Sequence, residues 1–496
     1  METLIAYCSI FIMIVTTIIV YFKFKYQYWT RRGIPSLETY IPFGTMRNPI
    51  TDKISLQELL QEQYNICKNS GWRYVGSYIF TVPQLLVVDP QIIKCMLTKD
   101  FNHFMERGMY NEEDDPLSMH LFSLGTSRWK RLRPKLTPTF TSGKMKMMFD
   151  IVVTCGYQLE KSMQTICAKG AIDIKEVLEC FTMDVIGSCA FGIDCNSFTD
   201  PSSEFCRYSK RIFSPTRLEN VIGLFVYVFP SVAKTLHLKG IPKDITEFFF
   251  NIVTRSVQYR RETGLVRKDF LQILMELADE QTNDPISFNE LVAQVFVFFI
   301  AGFETSSTTM AFCLLELCVD PSMQDKLRDE VNSVLRRHNS ALTYQNLKEL
   351  KYMNAVIDET LRKYPPVPML HRECIKDYQL PHTNITIKKG TKVGIPLIGL
   401  QNDPDYFPEP GKFNPDRFAD RNKDLFAPYT FMPFGEGPRA CIGIRFGMMQ
   451  TKVGLSILLK HYKFTLAEKM SVPVRFKARS FMTAAEGGIW LNATRI

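Results

Sequence analysis

Nineteen consecutive residues without a charge, Leu4 to Phe22 (LIAYCSIFIMIVTTIIVYF), constrain this chain more than any other feature. As an α-helix the run spans about 28 Å, close to the roughly 30 Å hydrocarbon core of a bilayer. Lys23, Lys25, Arg31 and Arg32 follow it, while only Glu2 and the terminus precede it. Basic flanks stay on the cytoplasmic side, so the expectation is a single-pass anchor at 4–22 with the body in the cytosol. A cleaved signal peptide is the alternative, but the run is too long and no small-residue cleavage site follows it. The sequons at Asn384 and Asn492 would then go unglycosylated. A basic linker, 23–35, ends in the stiff Gly33-Ile34-Pro35 and leads into one large domain, 36–496. No later stretch is expected to span. Leu291 to Phe303 comes nearest, and Gln294 and Glu304 cut it short.

Taken whole, the chain has an ordinary globular make-up. Apolar residues are 46% and charged residues 22%, which excludes wholesale disorder and a multi-span channel. A net charge of +9 suits an anionic membrane surface or a basic docking face better than a nucleic-acid groove. The thirteen cysteines are odd in number and none is spaced CxxC. That argues against a zinc cage and against a secreted disulfide framework, leaving mostly buried, reduced thiols.

Helical periodicity dominates, so the fold class is mainly α with small β-sheets. A capping box, Ser287-Phe288-Asn289-Glu290, opens a long helix that runs from 288 to the stop at Asp320-Pro321. It is apolar on every side over 295–303, so its middle is buried. A second helix, 346–364, carries Leu350, Met353, Ile357, Leu361 and Tyr364 on one stripe and ends at Pro365-Pro366. A third begins just after Cys441 and runs to about His461. Residues 72–88 read as a hairpin broken at Pro83, residues 384–398 as a second hairpin turning at Lys389-Gly390, and 472–495 as strand-like.

One cysteine differs from the others. Cys441 sits in Phe434-Gly435-Glu436-Gly437-Pro438-Arg439-Ala440-Cys441-Ile442-Gly443. The glycines leave room for a flat, large group to approach the backbone. The following helix and Arg439 favour thiolate, which suggests a lowered thiol pKa and a single axial metal ligand. The segment also nearly reads G-x-G-x-x-A, a dinucleotide fingerprint. That pattern wants an acidic residue about 20 positions on, where Lys460 stands.

F-x-x-G-x-R-x-C-x-G resembles the haem-ligand loop of cytochromes P-450, the family noted for its Cys thiolate. Three further segments are similar to that family. Glu359-Thr360-Leu361-Arg362 resembles its ExxR, and Pro415-Asp416-Arg417-Phe418 resembles its Pro-Glu-Arg-Phe element with Asp for Glu. The resemblance implies a buried triad of Glu359, Arg362 and Arg417 bracing the Cys loop. Ala301-Gly302-Phe303-Glu304-Thr305-Ser306 matches the oxygen-activation motif. Gly at mid-helix costs about 1 kcal/mol against Ala, and an acid inside an apolar helix costs more. Such expense points to function: Ala301-Gly302 would admit a cofactor and O2, Thr305 would back-bond and open the helix, and Glu304 and Thr305 would relay protons.

The resemblance covers the whole chain and implies the cytochrome P-450 fold as a single large domain behind a transmembrane helix. The implied cofactor is haem b (iron protoporphyrin IX), with Cys441 as axial ligand to the iron. Arg107, Trp129, Arg133, Arg372 and Arg439 would hold it, with Ala301 and Phe434 against it. The implied activity is NADPH- and O2-dependent monooxygenation. The chain has no flavin or NADPH motif, so electrons would come from a separate NADPH-dependent cytochrome P-450 reductase, with cytochrome b5 as a second donor. Lys130, Arg131, Lys135, Arg445 and Lys452 could dock it. Phe122, Phe213, Phe299, Val367, Met369 and Phe481 fall where family members line an apolar substrate pocket. No nucleic-acid partner is implied. The stretch from Asp114 to Phe149 resembles the insect microsomal branch that oxidises plant toxins and insecticides, which implies the endoplasmic reticulum membrane and xenobiotic substrates. Oxidation of an endogenous hormone, pheromone or fatty acid is the alternative within the enzyme class. A haem-thiolate binder or sensor is the alternative outside it, and the intact Glu304-Thr305 pair argues against that.

Overall fold

The computed structural model describes residues 1–47, 54–279, 284–420, 422, 426–478 and 480–496. The first helix, Glu2–Lys25, contains the apolar run, buries none of its residues against the body, and carries Lys23 and Lys25 in its last turn. An apolar helix with no protein partner needs another apolar medium.

Helices build most of the body. The central helix is Phe288–Val319, with the Ser287/Glu290 capping box formed as the sequence predicts and Asp320 ending it. Its most apolar window is 72% buried inside the body, which makes it a core helix. Helices Ile174–Ile186, Lys351–Lys363 and Ile444–His461 pack on it, and Ser142–Ile166 packs on the first and last of these. The helix expected at 346–364 begins later, at Lys351, because residues 346–348 form a separate 3-10 turn. Its stripe is right: Leu350, Met353, Ile357, Leu361 and Tyr364 are all buried.

Among the described residues nine strands form three small sheets. They are β1 (Tyr74–Ile79), β2 (Val82–Val87), β3 (Ile172–Asp173), β4 (Met369–Glu373), β5 (Tyr378–Gln379), β6 (Thr386–Ile387), β7 (Lys392–Pro396), β8 (Tyr462–Leu466) and β9 (Trp490–Arg495). The main sheet has the order β1-β2-β7-β4. Two expectations need correction here. The first hairpin is not broken at Pro83. It turns at Phe80, whose φ is +55°, and Pro83 stays in β2 opposite Tyr78. Pairing of β2 with β7 starts only at Gln84, so Pro83 has no ladder bond to supply on that side. Residues 384–398 are not one hairpin either. Gly390 does turn the chain (φ +84°), but β6 pairs back with β5 while β7 joins β2 and β4. In the tail, β9 and an isolated Phe476–Ala485 bridge are the extended pairings among the described residues, and position 479 lies outside them.

Candidate active site around Cys441

Sequence dictates the shape of the Cys loop. Gly435 (φ +69°) and Gly437 (φ +75°) occupy the left-handed region that L side chains avoid. A Cβ on Gly437 would lie 1.9 Å from the Leu97 carbonyl oxygen. Gly437 serves a close approach of the segment at Leu97, which corrects for it the expectation that it makes room for a flat group, and Gly435 serves the turn. The loop closes on itself through the Cys441 N–H, which donates to the Phe434 carbonyl at 2.8 Å. Helix Ile444–His461 then starts, with Gly443 as its N-cap.

Cys441 is exposed by area although it lies in the body of the protein. Its thiol is desolvated, and burial pushes its pKa up. The Gly443 N–H and the cations Arg133 and Arg107 pull the other way without prevailing. The lowered thiol pKa expected from the sequence is therefore not found in the free thiol. Surface that is accessible yet desolvated faces an interior cavity. Ala301 shows the same signature: it is exposed in mid-helix, with Thr305 part-exposed one turn on, while both flanks of the helix are buried.

Four guanidiniums accompany the thiol. Arg372 is 2% exposed, its Nε has no hydrogen-bond partner, and its own neighbour's carbonyl (His371) is its acceptor, at 2.8 Å. Arg133, on helix Thr126–Leu136, donates to the Ala440 carbonyl at 3.0 Å. Arg107 donates to the carbonyls of Phe122 (2.8 Å) and Arg439 (3.1 Å) and lies 4.0 Å from the Phe122 ring centroid. Arg439 spreads over the carbonyls of Met105 (2.8 Å), Leu121 (3.2 Å) and Leu124 (2.6 Å), with its guanidinium 4.4 Å from the Trp129 ring centroid. None of the four makes an ion pair with a carboxylate among the described residues. Burial lowers the pKa of all four, of Arg372 to about 10 and of Arg439 to about 9. Clustered, uncompensated buried cations await anionic charge. A thiol open to a cavity, ringed by such cations and Trp129, fits a flat metal macrocycle with acidic side chains.

The bracing triad forms. Arg362 grips Glu359 at 2.7 and 2.9 Å and also donates to the carbonyls of Gln401 and Pro410. Arg417 lies 3.4 Å from Glu359, whose oxygen also accepts the Asn414 N–H at 2.9 Å. Glu359 and Arg362 are fully buried. Gln401 in turn meets the Met432 N–H at 3.3 Å, two residues before Phe434, so the triad reaches the Cys loop.

On the central helix, Thr305 back-bonds to the Ala301 carbonyl at 2.6 Å as expected, but the helix stays α throughout and is not opened. Gly302 does not face the cavity. A Cβ there would meet Ile186 at 3.0 Å, so glycine lets helix Ile174–Ile186 pack close. Glu304 is buried and aimed at that helix, 3.0 Å from Lys175, which also contacts Glu179 (2.7 Å) and Ser307 (3.0 Å). Burial pulls the Lys175 ammonium down, and Glu304 and Glu179 more than reverse this. Glu304 and Thr305 share no side-chain hydrogen bond among the described residues.

The pocket and docking residues divide. Phe122 and Phe481 present open aromatic surface, and Val367 and Phe213 are half-buried, Phe213 against Phe303. Phe299 is fully buried among Phe191, Phe205, Phe249 and Phe303, so it is core and not lining. Met369 is buried against Gly394 of β7. Lys452 is also buried, donating to the Leu347 carbonyl at 2.8 Å, and cannot dock a partner. Arg131 is engaged by Asp284 and Glu290, and Lys135 by Asp284. Lys130 and Arg445 remain exposed. Sequence reasoning missed Lys175, which reads as an ordinary helix lysine. It also missed Gln450, whose amide bonds the Gly302 carbonyl (2.7 Å) and Ser306 (2.5 Å), and the cavity imidazoles of His120 and His371.

Residues 51–491 match the family model described as cytochrome P450. Among similar proteins, the "Probable cytochrome P450 6a23" of Drosophila melanogaster is 42% identical over 95% of this chain and 95% of its own. "Cytochrome P450 6a2" of the same organism is 38% identical over 95% and 96%. "Probable cytochrome P450 6a14" is 40% identical over 95% and 96%.

Proposed function

The chain belongs to the cytochrome P450 family of haem-thiolate monooxygenases, and on that premise we propose that it oxidises apolar small molecules at an endoplasmic reticulum membrane, with its body in the cytosol. One observation carries the reading: the Cys441 thiol opens into an interior cavity flanked by four guanidiniums that lack carboxylate partners.

Haem b is the form of the cofactor that suits these residues. Cys441 would hold its iron through sulfur, Arg107, Arg133, Arg372 and Arg439 would hold its carboxylates, and Trp129, Phe434 and Ala301 would pack beside it. When bound, the group supplies dioxygen reduction and transfer of one oxygen atom to carbon. The remaining chemistry belongs to the chain. Arg133, Arg107 and the Gly443 N–H pull the Cys441 thiol toward thiolate, against a larger desolvation that raises its pKa. The Glu359–Arg362–Arg417 triad holds the segment beneath the loop in place. Glu304 is held at mid-helix by its pair with Lys175, and the Thr305 hydroxyl stands on the cavity side. Thr305 Oγ1 would pass a proton on the cavity side, with Glu304 held behind it at the contact with helix Ile174–Ile186, while the buried helix flanks exclude bulk water. Phe122 and Phe481 offer an apolar wall to substrate.

Electrons come from a reductase, which the family requires. Lys130 and Arg445 are the exposed cations that support docking of its acidic surface, and cytochrome b5 would use the same face. Helix Arg217–Val228 and the segment after it expose Leu218, Val221, Leu224, Phe229, Val232 and Leu236. A second apolar surface outside the anchor supports a body that rests on the bilayer and draws substrate from it. Detoxification of plant toxins or insecticides is the role that suits an apolar cavity in this branch. The test is O2 uptake by membranes containing the protein and reductase. Uptake that requires NADPH and rises with apolar xenobiotics supports the reading. Haem-bound protein that never turns over any such compound would favour the binder alternative.

A further inference from the structure

Two polar groups beside β4 have no hydrogen-bond partner among the described residues. His371, on β4, stacks on Phe481 (centroids 6.2 Å apart, planes 21°) and meets the Tyr227 ring edge-on (6.4 Å, 79°). Neither ring nitrogen of His371 has a hydrogen-bond partner among the described residues, and the Tyr227 phenol has none either. Both rings are only half-buried, so their polar atoms have room beside them. They are also fixed. Lys392 of β7 donates to the Tyr227 carbonyl at 3.0 Å and places its ammonium 3.7 Å from the Tyr227 ring centroid, pinning the end of helix Arg217–Val228 to the main sheet.

Resting on the monooxygenase reading, we propose that His371 and Tyr227 form a hydrogen-bonding subsite that selects apolar substrates bearing an acceptor oxygen, a carbonyl or ester, over plain hydrocarbons. The electrostatics agree. Burial, then Lys392, Arg372 and Arg107, lower the His371 imidazole to about 4, so at neutral pH it keeps one N–H donor without charge. Burial raises the Tyr227 phenol to about 12, so it too remains a donor. The Lys392 ammonium beside Tyr227 favours the electron-rich end of a substrate dipole. A site with preplaced donors discriminates strongly against an analogue lacking the acceptor, because the donors are then desolvated and left unpaired.

The experiment is equilibrium dialysis of the full-length, haem-loaded protein with 9-fluorenone and with fluorene, which share a skeleton and differ by one carbonyl. The wild type binds the ketone about tenfold more tightly, beyond any difference in their partition into the detergent alone. His371→Phe brings the ratio near one by weakening the ketone and not the hydrocarbon. Tyr227→Phe, which removes one oxygen and no packing, lowers the ratio part-way and stands in if His371→Phe loses haem. A wild type without the preference, or variants that keep it in full, overturns the subsite. A wild-type preparation lacking a thiolate-type CO spectrum defeats the monooxygenase reading itself, and the subsite with it.

Discussion

The Glu304 carboxylate lies 3.0 Å from the Lys175 ammonium across the contact between the central helix and helix Ile174–Ile186. The acid of the oxygen-activation motif is thus held by a residue 129 positions earlier in the chain. Lys175→Met leaves Glu304 buried without its counter-charge, and a buried carboxylate in that state takes up a proton. The expected outcome is a product yield per NADPH consumed that falls about tenfold or more, with haem content retained. Product analysis beside NADPH oxidation measures it. Unchanged coupling would make the pair purely structural.

Glu359 sits fully buried between two guanidiniums. Glu359→Gln leaves Arg362 buried and unpaired, at a cost of about 3–5 kcal/mol. The variant should accumulate as haem-poor protein, read from the haem-to-protein absorbance ratio. Glu204→Gln, in the exposed Glu204–Arg207 pair of the same spacing, serves as the control and should load haem normally.

Reductase docking should depend on Lys130 and Arg445 and not on Lys452. Charge reversal of the first two should slow NADPH-supported turnover several-fold, most at low ionic strength, because exposed pairs are screened by salt. Turnover driven by cumene hydroperoxide, which bypasses the reductase, should be unchanged. Equal loss in both assays would contradict docking at this face.

His120 and His371 are both held neutral by burial, each lowered from 6.5 to about 4. A depressed histidine pKa means that the unfolded chain binds more protons between those values. Stability is therefore intact above about pH 6.5 and declines as pH falls toward 4, by up to about 1.4 kcal/mol per pH unit for each ring. His371→Phe should lose less stability than wild type between pH 7 and pH 5 in urea unfolding. Parallel pH profiles would contradict the assignment.

Much of this was legible in the sequence because it is local. The Ser287/Glu290 box, the Leu350–Tyr364 stripe and the helix after Cys441 follow from spacing within a few turns. The triad was legible through motif resemblance. What escaped depends on packing between distant segments. Nothing near Lys175 marks it as the partner of Glu304. Gly302 reads like a cofactor contact until Ile186 is placed beside it. Lys452 looks like any helix lysine until its helix proves buried. Strand partners escaped for the same reason, since β6 and β7 adjoin in sequence but join different sheets.

The central claim is that Cys441 ligates a haem iron in this cavity. It is tested most directly by the CO difference spectrum of the dithionite-reduced membrane protein beside Cys441→Ser. The account predicts a thiolate-type Soret band in the wild type that is absent from the variant. A folded wild type with no haem spectrum, or a band indifferent to Cys441, would contradict it.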